Sequence, residues 1–153
     1  MIVICDIDGS IACLKKRAKK AGPAPERGTE AYKKWLKKLM PPMEMLRDKP
    51  IKEVVEIVQA LFQKHSVVYL TGRGEKHRKV TQVWLKKHKL PEGPLFMRGL
   101  RYDKCAPSTY KEAMLGKIVK LYGCKGIAID DDDQNDTSAI YLKYGFKHLK
   151  VIT

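Results

Sequence analysis

Met1–Ser10, MIVICDIDGS, sets a β-branched run, Ile2-Val3-Ile4, directly before Cys5 and an acid–x–acid–glycine string, Asp6-Ile7-Asp8-Gly9. A short continuous apolar run bounded by a turn reads as a strand buried on both faces, the kind a parallel sheet requires. Polar residues that follow such a strand stand beyond its carboxyl end, where open α/β sheets bind ligands. Gly9 relaxes the backbone so that the chain can turn away. Alone, the string also fits a turn or a calcium-loop fragment. Its place at the end of an N-terminal apolar strand is what sets it apart.

The same alternation continues outward from that string. Apolar runs at Ser66–Leu70 (SVVYL), Pro94–Met97, Gly126–Ile129 (GIAI) and His148–Ile152 read as further strands. Between them lie stretches with helical spacing. Val54, Val55, Val58, Leu61 and Phe62 define a helix from Ile51 to Lys64. Glu75–Lys89 is expected to be helical with Val80, Val83, Trp84 and Leu85 inward. Tyr110–Tyr122 closes at Gly123, and Asn135–Tyr144 stops at Gly145. Strand and helix in alternation predict an α/β protein of Rossmann-like, three-layer form with a mainly parallel central sheet.

One stretch breaks the alternation. Residues 15–38 hold ten basic side chains (Lys15, Lys16, Arg17, Lys19, Lys20, Arg27, Lys33, Lys34, Lys37, Lys38) against Glu26 and Glu30 alone, so they carry +8 of the net +14. Gly22, Pro23 and Pro25 make a loop, and a helix from Thr29 to Met40 follows, ended by Pro41-Pro42. On that helix Tyr32, Trp35, Leu36, Leu39 and Met40 share one side. Lys33, Lys34, Lys37 and Lys38 take the other, an arc of about 140°. The segment is therefore a small basic helical cap inserted after the first strand, about 11–49. The 153 residues form a single domain whose core is 1–10 and 50–153.

Charge and composition limit what the protein can do. An excess of +14 attracts polyanions, nucleic acid above all, although a lysine-rich solvated surface would look the same in composition. No apolar run approaches the ~20 residues that span a bilayer. The first residues lack the features of an export signal, so the expected location is cytoplasmic. Cys5, Cys13, Cys105 and Cys124 form no CxxC pair and no metal-ligand spacing, which fits reduced, structural thiols.

Three strands end in polar clusters: Asp6–Ser10, Thr71-Gly72-Arg73-Gly74, and Asp130–Asp133. Carboxylates that converge in one site repel one another. In so basic a protein, two acidic strand ends make best sense with a cation between them. Hard oxygen ligands at few positions suit Mg²⁺, which keeps waters and takes further oxygens from phosphate. At a strand end one carboxylate can attack phosphorus while the next but one reaches the leaving oxygen, which assigns those tasks to Asp6 and Asp8. Thr71, Gly72 and the amides of the glycine-rich turn can hold phosphoryl oxygens. Thr109 and Glu112 form a plausible capping box, which puts Lys111 in a first helical turn. The macrodipole disfavours a cation there, so Lys111 either has a negative partner or is a plain surface lysine.

Together these residues resemble the haloacid dehalogenase superfamily of phosphatases. Asp6-Ile7-Asp8-Gly9-Ser10 looks like its first motif, with Ser for Thr; Thr71 heads the second; Lys111 matches the third. The run IAIDD ending in Asp130 and Asp131 looks like the acidic fourth. A narrower likeness, to the phosphatase half of phage polynucleotide kinase–phosphatases, rests on Asp48-Lys49-Pro50-Ile51, on Leu70–Leu85, on Leu95-Phe96-Met97-Arg98, and on Lys111. The resemblance implies that Asp6 forms an aspartyl-phosphate and that Asp8 protonates the leaving group, then activates water. It implies that Thr71 and Lys111 hold phosphate, and that Arg73, with Arg98 as a further candidate, touches substrate. Mg²⁺ would be bound by Asp6, the backbone carbonyl of Asp8, and the fourth motif. Counting from the strand gives Asp130 and Asp131 as its ligands, whereas counting back from Gly145 gives Asp132 and Asp133; the strand count is adopted. His65, His77, His88 and His148 form no ligand pair; only His77, just after the second motif, is of interest. Trp35 and Trp84 read as core.

The function so implied is Mg²⁺-dependent hydrolysis of a terminal, 3′-phosphate from a polynucleotide end, in nucleic acid repair. A bifunctional repair role would then need a separate kinase or ligase partner. A second reading keeps the chemistry and takes small phosphoesters such as nucleoside monophosphates. A third, a phospho-receiver or nucleic-acid-binding module without catalysis, has against it that SVVYL ends in Thr71 where a receiver has its aspartate.

Overall fold

The computed structural model describes residues 1–132 and 136–153. Five strands form the main sheet: β1 (Ile2–Cys5), β4 (Ser66–Gly74), β5 (Leu95–Arg98), β6 (Gly126–Asp130) and β7 (Phe146–Lys150). Their order is β5-β4-β1-β6-β7 and every pairing is parallel. All four residues of β1 are buried, as expected of the central strand. The chain builds outward from β1 through β4 to β5, then crosses back to place β6 on the other side. The strand order thus reverses between β1 and β6, and Asp6 and Asp130 stand at the carboxyl ends of those two strands.

Two apolar layers cover the sheet. Val3, Cys5, Val67 and Tyr69 pack with Val54, Val55 and Val58 of α4 (Lys52–Phe62) and with Trp84 and Leu85 of α5 (Arg78–Lys87). The alternate residues Ile2, Ile4, Val68, Leu70 and Ala128 pack with Tyr110, Met114, Leu115 and Ile118 of α6 (Pro107–Tyr122). Tyr141 of α7 (Thr137–Lys143) joins them. Three layers result, as the alternation predicts.

Between β1 and α4 the chain makes a helical excursion. It leaves and returns through a short antiparallel pair, β2 (Ala12–Cys13) with β3 (Lys49–Pro50). Within it lie α1 (Lys15–Ala21), α2 (Glu30–Leu39) and α3 (Pro42–Met45). Only the second of these helices is expected from sequence. The Thr29 hydroxyl caps it by accepting from the Tyr32 amide at 3.1 Å.

Several boundaries differ from expectation. Residues 75–77 form a 3₁₀ turn, and the helix proper starts at Arg78. Val83 is exposed, because the inward stripe of α5 is Thr81, Trp84 and Leu85. Helix α6 starts at Pro107 with Ala106 as N-cap, so Thr109 is not the cap and Lys111 lies a turn deeper than expected. Proline preset for a first helical turn takes that start. The last strand lies two residues earlier than read, directly after the Gly145 turn. The expected helix start at Asn135 lies outside the described residues.

Candidate active site

Asp6 follows β1 and is buried. The Lys111 ammonium of α6 reaches its Oδ2 at 3.3 Å and Asp130 Oδ2 at 2.6 Å. Tyr141 donates its hydroxyl to the same Asp130 oxygen at 2.6 Å, and the Asp132 amide donates to Asp130 Oδ1 at 2.8 Å. Asp131 donates its amide to Ser10 Oγ at 3.0 Å, and its carboxylate overhangs Gly9. Gly9 has φ +82°, and a Cβ there would lie 1.9 Å from Asp131 Oδ2. The turn therefore needs glycine twice over, for its backbone and for the carboxylate above it. Gly9→Ala is expected to expel Asp131 and to cost about 1–2 kcal/mol of stability through the left-handed backbone alone, read by urea unfolding.

Asp6, Asp130 and Asp131 each offer one oxygen within 4.8 Å of the others. Asp6 Oδ1 is buried with no hydrogen-bond partner among the described residues. Burial raises the Asp6 carboxyl well above the ordinary range, and the neighbouring Asp130 and Asp131 add to this while Lys111 opposes it. Burial likewise works against charge on Asp130, but Lys111 and Tyr141 hold its carboxyl below the usual value. Burial opposes the Lys111 ammonium too, yet Asp6 and Asp130 keep it well above ordinary lysine. The Lys111 ammonium is shared by Asp6 and Asp130, and Asp6 Oδ1 stays buried without a hydrogen bond among the described residues. These donors fit a hard divalent ion such as Mg²⁺.

Asp8 is handled differently. Arg17 of α1 and Arg73 of β4 each place Nη2 2.7 Å from its Oδ1, and Arg73 Nε lies 2.9 Å from its Oδ2. Burial alone would raise the Asp8 carboxyl; Arg73 and Arg17 outweigh it and hold it at about 2. Arg17 also forks onto Asp48 through Nε at 2.9 Å and Nη2 at 2.7 Å, and donates to the Leu39 carbonyl at 2.5 Å. Arg73 Nη1 bonds Thr81 Oγ1 at 3.1 Å, which explains the buried hydroxyl on α5. The Trp84 indole N–H donates to the Asp48 carbonyl at 2.9 Å. Both arginines are 1% exposed.

The structure brings Asp6, Asp130, Asp131 and Lys111 into one cluster, with Asp8 two residues from Asp6. Thr71 is buried on β4 and its Oγ1 accepts the Arg73 amide at 3.3 Å; Gly72 is half-buried beside it. Arg73, expected to touch substrate, is buried and holds Asp8. Arg98 ends β5 opposite Gly74, with its Nε buried and without a partner among the described residues. Asp132 turns away from the cluster, accepting from the amide and hydroxyl of Thr137 at 2.8 and 2.7 Å. Asp133 lies outside the described residues. His77 is buried, and burial, Lys76 and Arg73 push it toward the neutral form.

Sequence reasoning gave Arg17 and Tyr141 no place in the site, and it quoted Ser10 and Asp48 in motifs without the contacts they make here. Arg17 carried one signal. It is the single arginine in Lys15–Ala21, KKRAKKA, and the guanidinium fork suits buried, two-oxygen pairing as lysine does not.

No protein-family model matches the chain, and no curated protein matches it in sequence. By fold it matches a chain of the Pnkp1/Rnl/Hen1 complex with a TM-score of 0.68 at 20% identity, over 98% of this chain and 44% of that one. A chain of the Pnkp1/Rnl/Hen1 RNA repair complex matches with a TM-score of 0.74 at 19% identity, over 98% and 42%. At that identity the likeness is one of fold. The chain spans less than half the length of either neighbour. No helix among the described residues is long and apolar enough to cross a membrane.

Proposed function

We propose that the chain is a Mg²⁺-dependent phosphomonoesterase that removes a terminal phosphate, the 3′-phosphate first, from a polynucleotide end. The observation that carries this is Asp6. It is a buried carboxylate with one oxygen held near Lys111 and the other without a hydrogen bond among the described residues, set among Asp130 and Asp131 at the reversal of strand order. The basic excursion beside the site supports a polyanionic substrate. The fold neighbours, which are chains of an RNA repair complex, support the same choice.

In this reading an Asp6 oxygen attacks phosphorus, the bond to the leaving oxygen breaks, and a phosphoryl group remains on Asp6. Lys111, Thr71 and the amides after Thr71 hold the phosphoryl oxygens. Asp8 gives a proton to the leaving oxygen, then takes one from the water that releases inorganic phosphate from Asp6. Between its two arginines Asp8 is ionised, the state needed to accept that proton. For the first step Asp8 takes up a proton from solvent, against the pull of its two arginines, and passes it to the leaving oxygen. Mg²⁺ held by Asp6, Asp130, Asp131 and the Asp8 carbonyl would neutralise charge building on the phosphoryl oxygens.

The test compares oligonucleotides ending in a 3′- or 5′-phosphate with nucleoside monophosphates, each in Mg²⁺ or EDTA. The expected result is fastest phosphate release from 3′-phosphate ends and none in EDTA. Preference for mononucleotides would move the substrate to small phosphoesters. A stable phosphoprotein without turnover would overturn the phosphatase reading.

A further inference from the structure

The excursion carries its lysines in a particular place. Lys34, Lys37 and Lys38 of α2 are exposed and have no ion-pair or hydrogen-bond partner among the described residues, while Lys33 pairs with Glu30 at 3.1 Å. The last turn of α2, which holds Lys37 and Lys38, ends at Leu39. The Leu39 carbonyl accepts from Arg17, and Arg17 holds Asp8. The C-terminal end of the lysine face is therefore one guanidinium away from the candidate site. Lys33 and Lys34 lie a turn farther out, about 6 Å along the axis. At the outer end the Arg27 guanidinium lies 5.6 Å from the Tyr32 ring centroid, and Tyr32 stacks on Trp35 at 5.4 Å. All three are half-buried.

We infer that the lysine face of α2 is the track for the polynucleotide behind its terminal phosphate. This rests on the phosphatase reading above. Lys33 to Lys38 span about 7.5 Å of the helix axis, the length of about two stacked nucleotides. Cations spaced along one exposed face match the regularly spaced phosphates of a single strand. A lipid surface fits less well, because the apolar side of α2 is engaged within the protein. The Trp35 indole donates to the Gly22 carbonyl at 2.9 Å, and Arg17 reaches both Leu39 and Met40.

The experiment measures kcat/KM for 3′-phosphorylated oligonucleotides of two, four and eight nucleotides and for p-nitrophenyl phosphate. It compares the parent with the triple variant Lys34→Gln, Lys37→Gln, Lys38→Gln across salt concentrations. The parent is expected to gain with length from two to four nucleotides. In the variant the ratio of eight-nucleotide to p-nitrophenyl phosphate kcat/KM falls by about tenfold or more, and the salt slope loses about 2, from three phosphate contacts on a single strand. A parental length preference that survives the triple exchange overturns the α2 track and leaves the phosphatase reading standing. A parent that turns over p-nitrophenyl phosphate with no preference for oligonucleotides overturns the track and the polynucleotide substrate together. Binding of the parent to anionic vesicles, with equal weakening in the variant and no length preference, assigns the face to a membrane instead.

Discussion

Asp6→Asn is expected to lower kcat on every phosphomonoester by at least about 10³-fold while leaving the protein as stable as before, or more so. Asparagine keeps the size of the side chain but cannot become the acyl oxygen donor to phosphorus. The stability half of the expectation follows from electrostatics. Burial, Asp130 and Asp131 all raise the Asp6 carboxyl, so its ionised form is held in the folded state at a cost. A carboxyl raised on folding favours the folded state only at low pH and opposes it once it ionises. At neutral pH in EDTA the exchange removes that opposition, and Tm should hold or rise. Retained turnover would sink the covalent mechanism. A lowered Tm would show that the Lys111 contact outweighs the repulsion among the three acids.

Arg17→Met is expected to cost about 3–5 kcal/mol, because it strips a buried guanidinium from buried Asp48 and half-buried Asp8 at once. Methionine replaces much of the volume but none of the donors, so Asp48 loses its fork and Asp8 keeps Arg73 alone. Urea unfolding reads the loss, and limited proteolysis should show earlier cutting between 15 and 47. The double variant Arg17→Met, Asp48→Leu is expected to recover part of the loss, since replacing both partners of a buried pair costs less than orphaning one. Absence of any recovery would mean that Arg17 acts chiefly through Asp8 and Leu39. The Asp8 share has a definite pH window. A carboxyl lowered to about 2 contributes fully above its unfolded value of about 3.9, and that share is lost as pH falls through about 2.

The central architecture was legible because it depends on local periodicity. Ile2–Ile4, SVVYL and GIAI are apolar runs too short for helices, and each became a parallel strand with a polar residue at its end. What escaped notice depends on tertiary neighbours. Arg17 counted as one surface charge among ten and is buried. Val83 has the right spacing to face inward but loses its place to Thr81, which Arg73 requires. Lys111 was singled out by a capping argument that the Pro107 start removes; its partners proved to be Asp130 and Asp6 in direct contact. The two-residue strands β2 and β3 are too short to leave any pattern.

The legs of the excursion bear on how such proteins could be recombined. Ile51 donates its amide to the Ile11 carbonyl at 2.8 Å, and Trp84 grips the Asp48 backbone from the main body, so the two ends are stitched to the scaffold. Across that seam one of the two guanidinium groups that steady Asp8, Arg17, is supplied by the excursion, and the other, Arg73, by the scaffold. The excursion is thus no detachable module. A chimaera that grafts a foreign lobe onto this scaffold inherits Asp8 with half its clamp missing unless the graft brings an arginine of its own to the same spot.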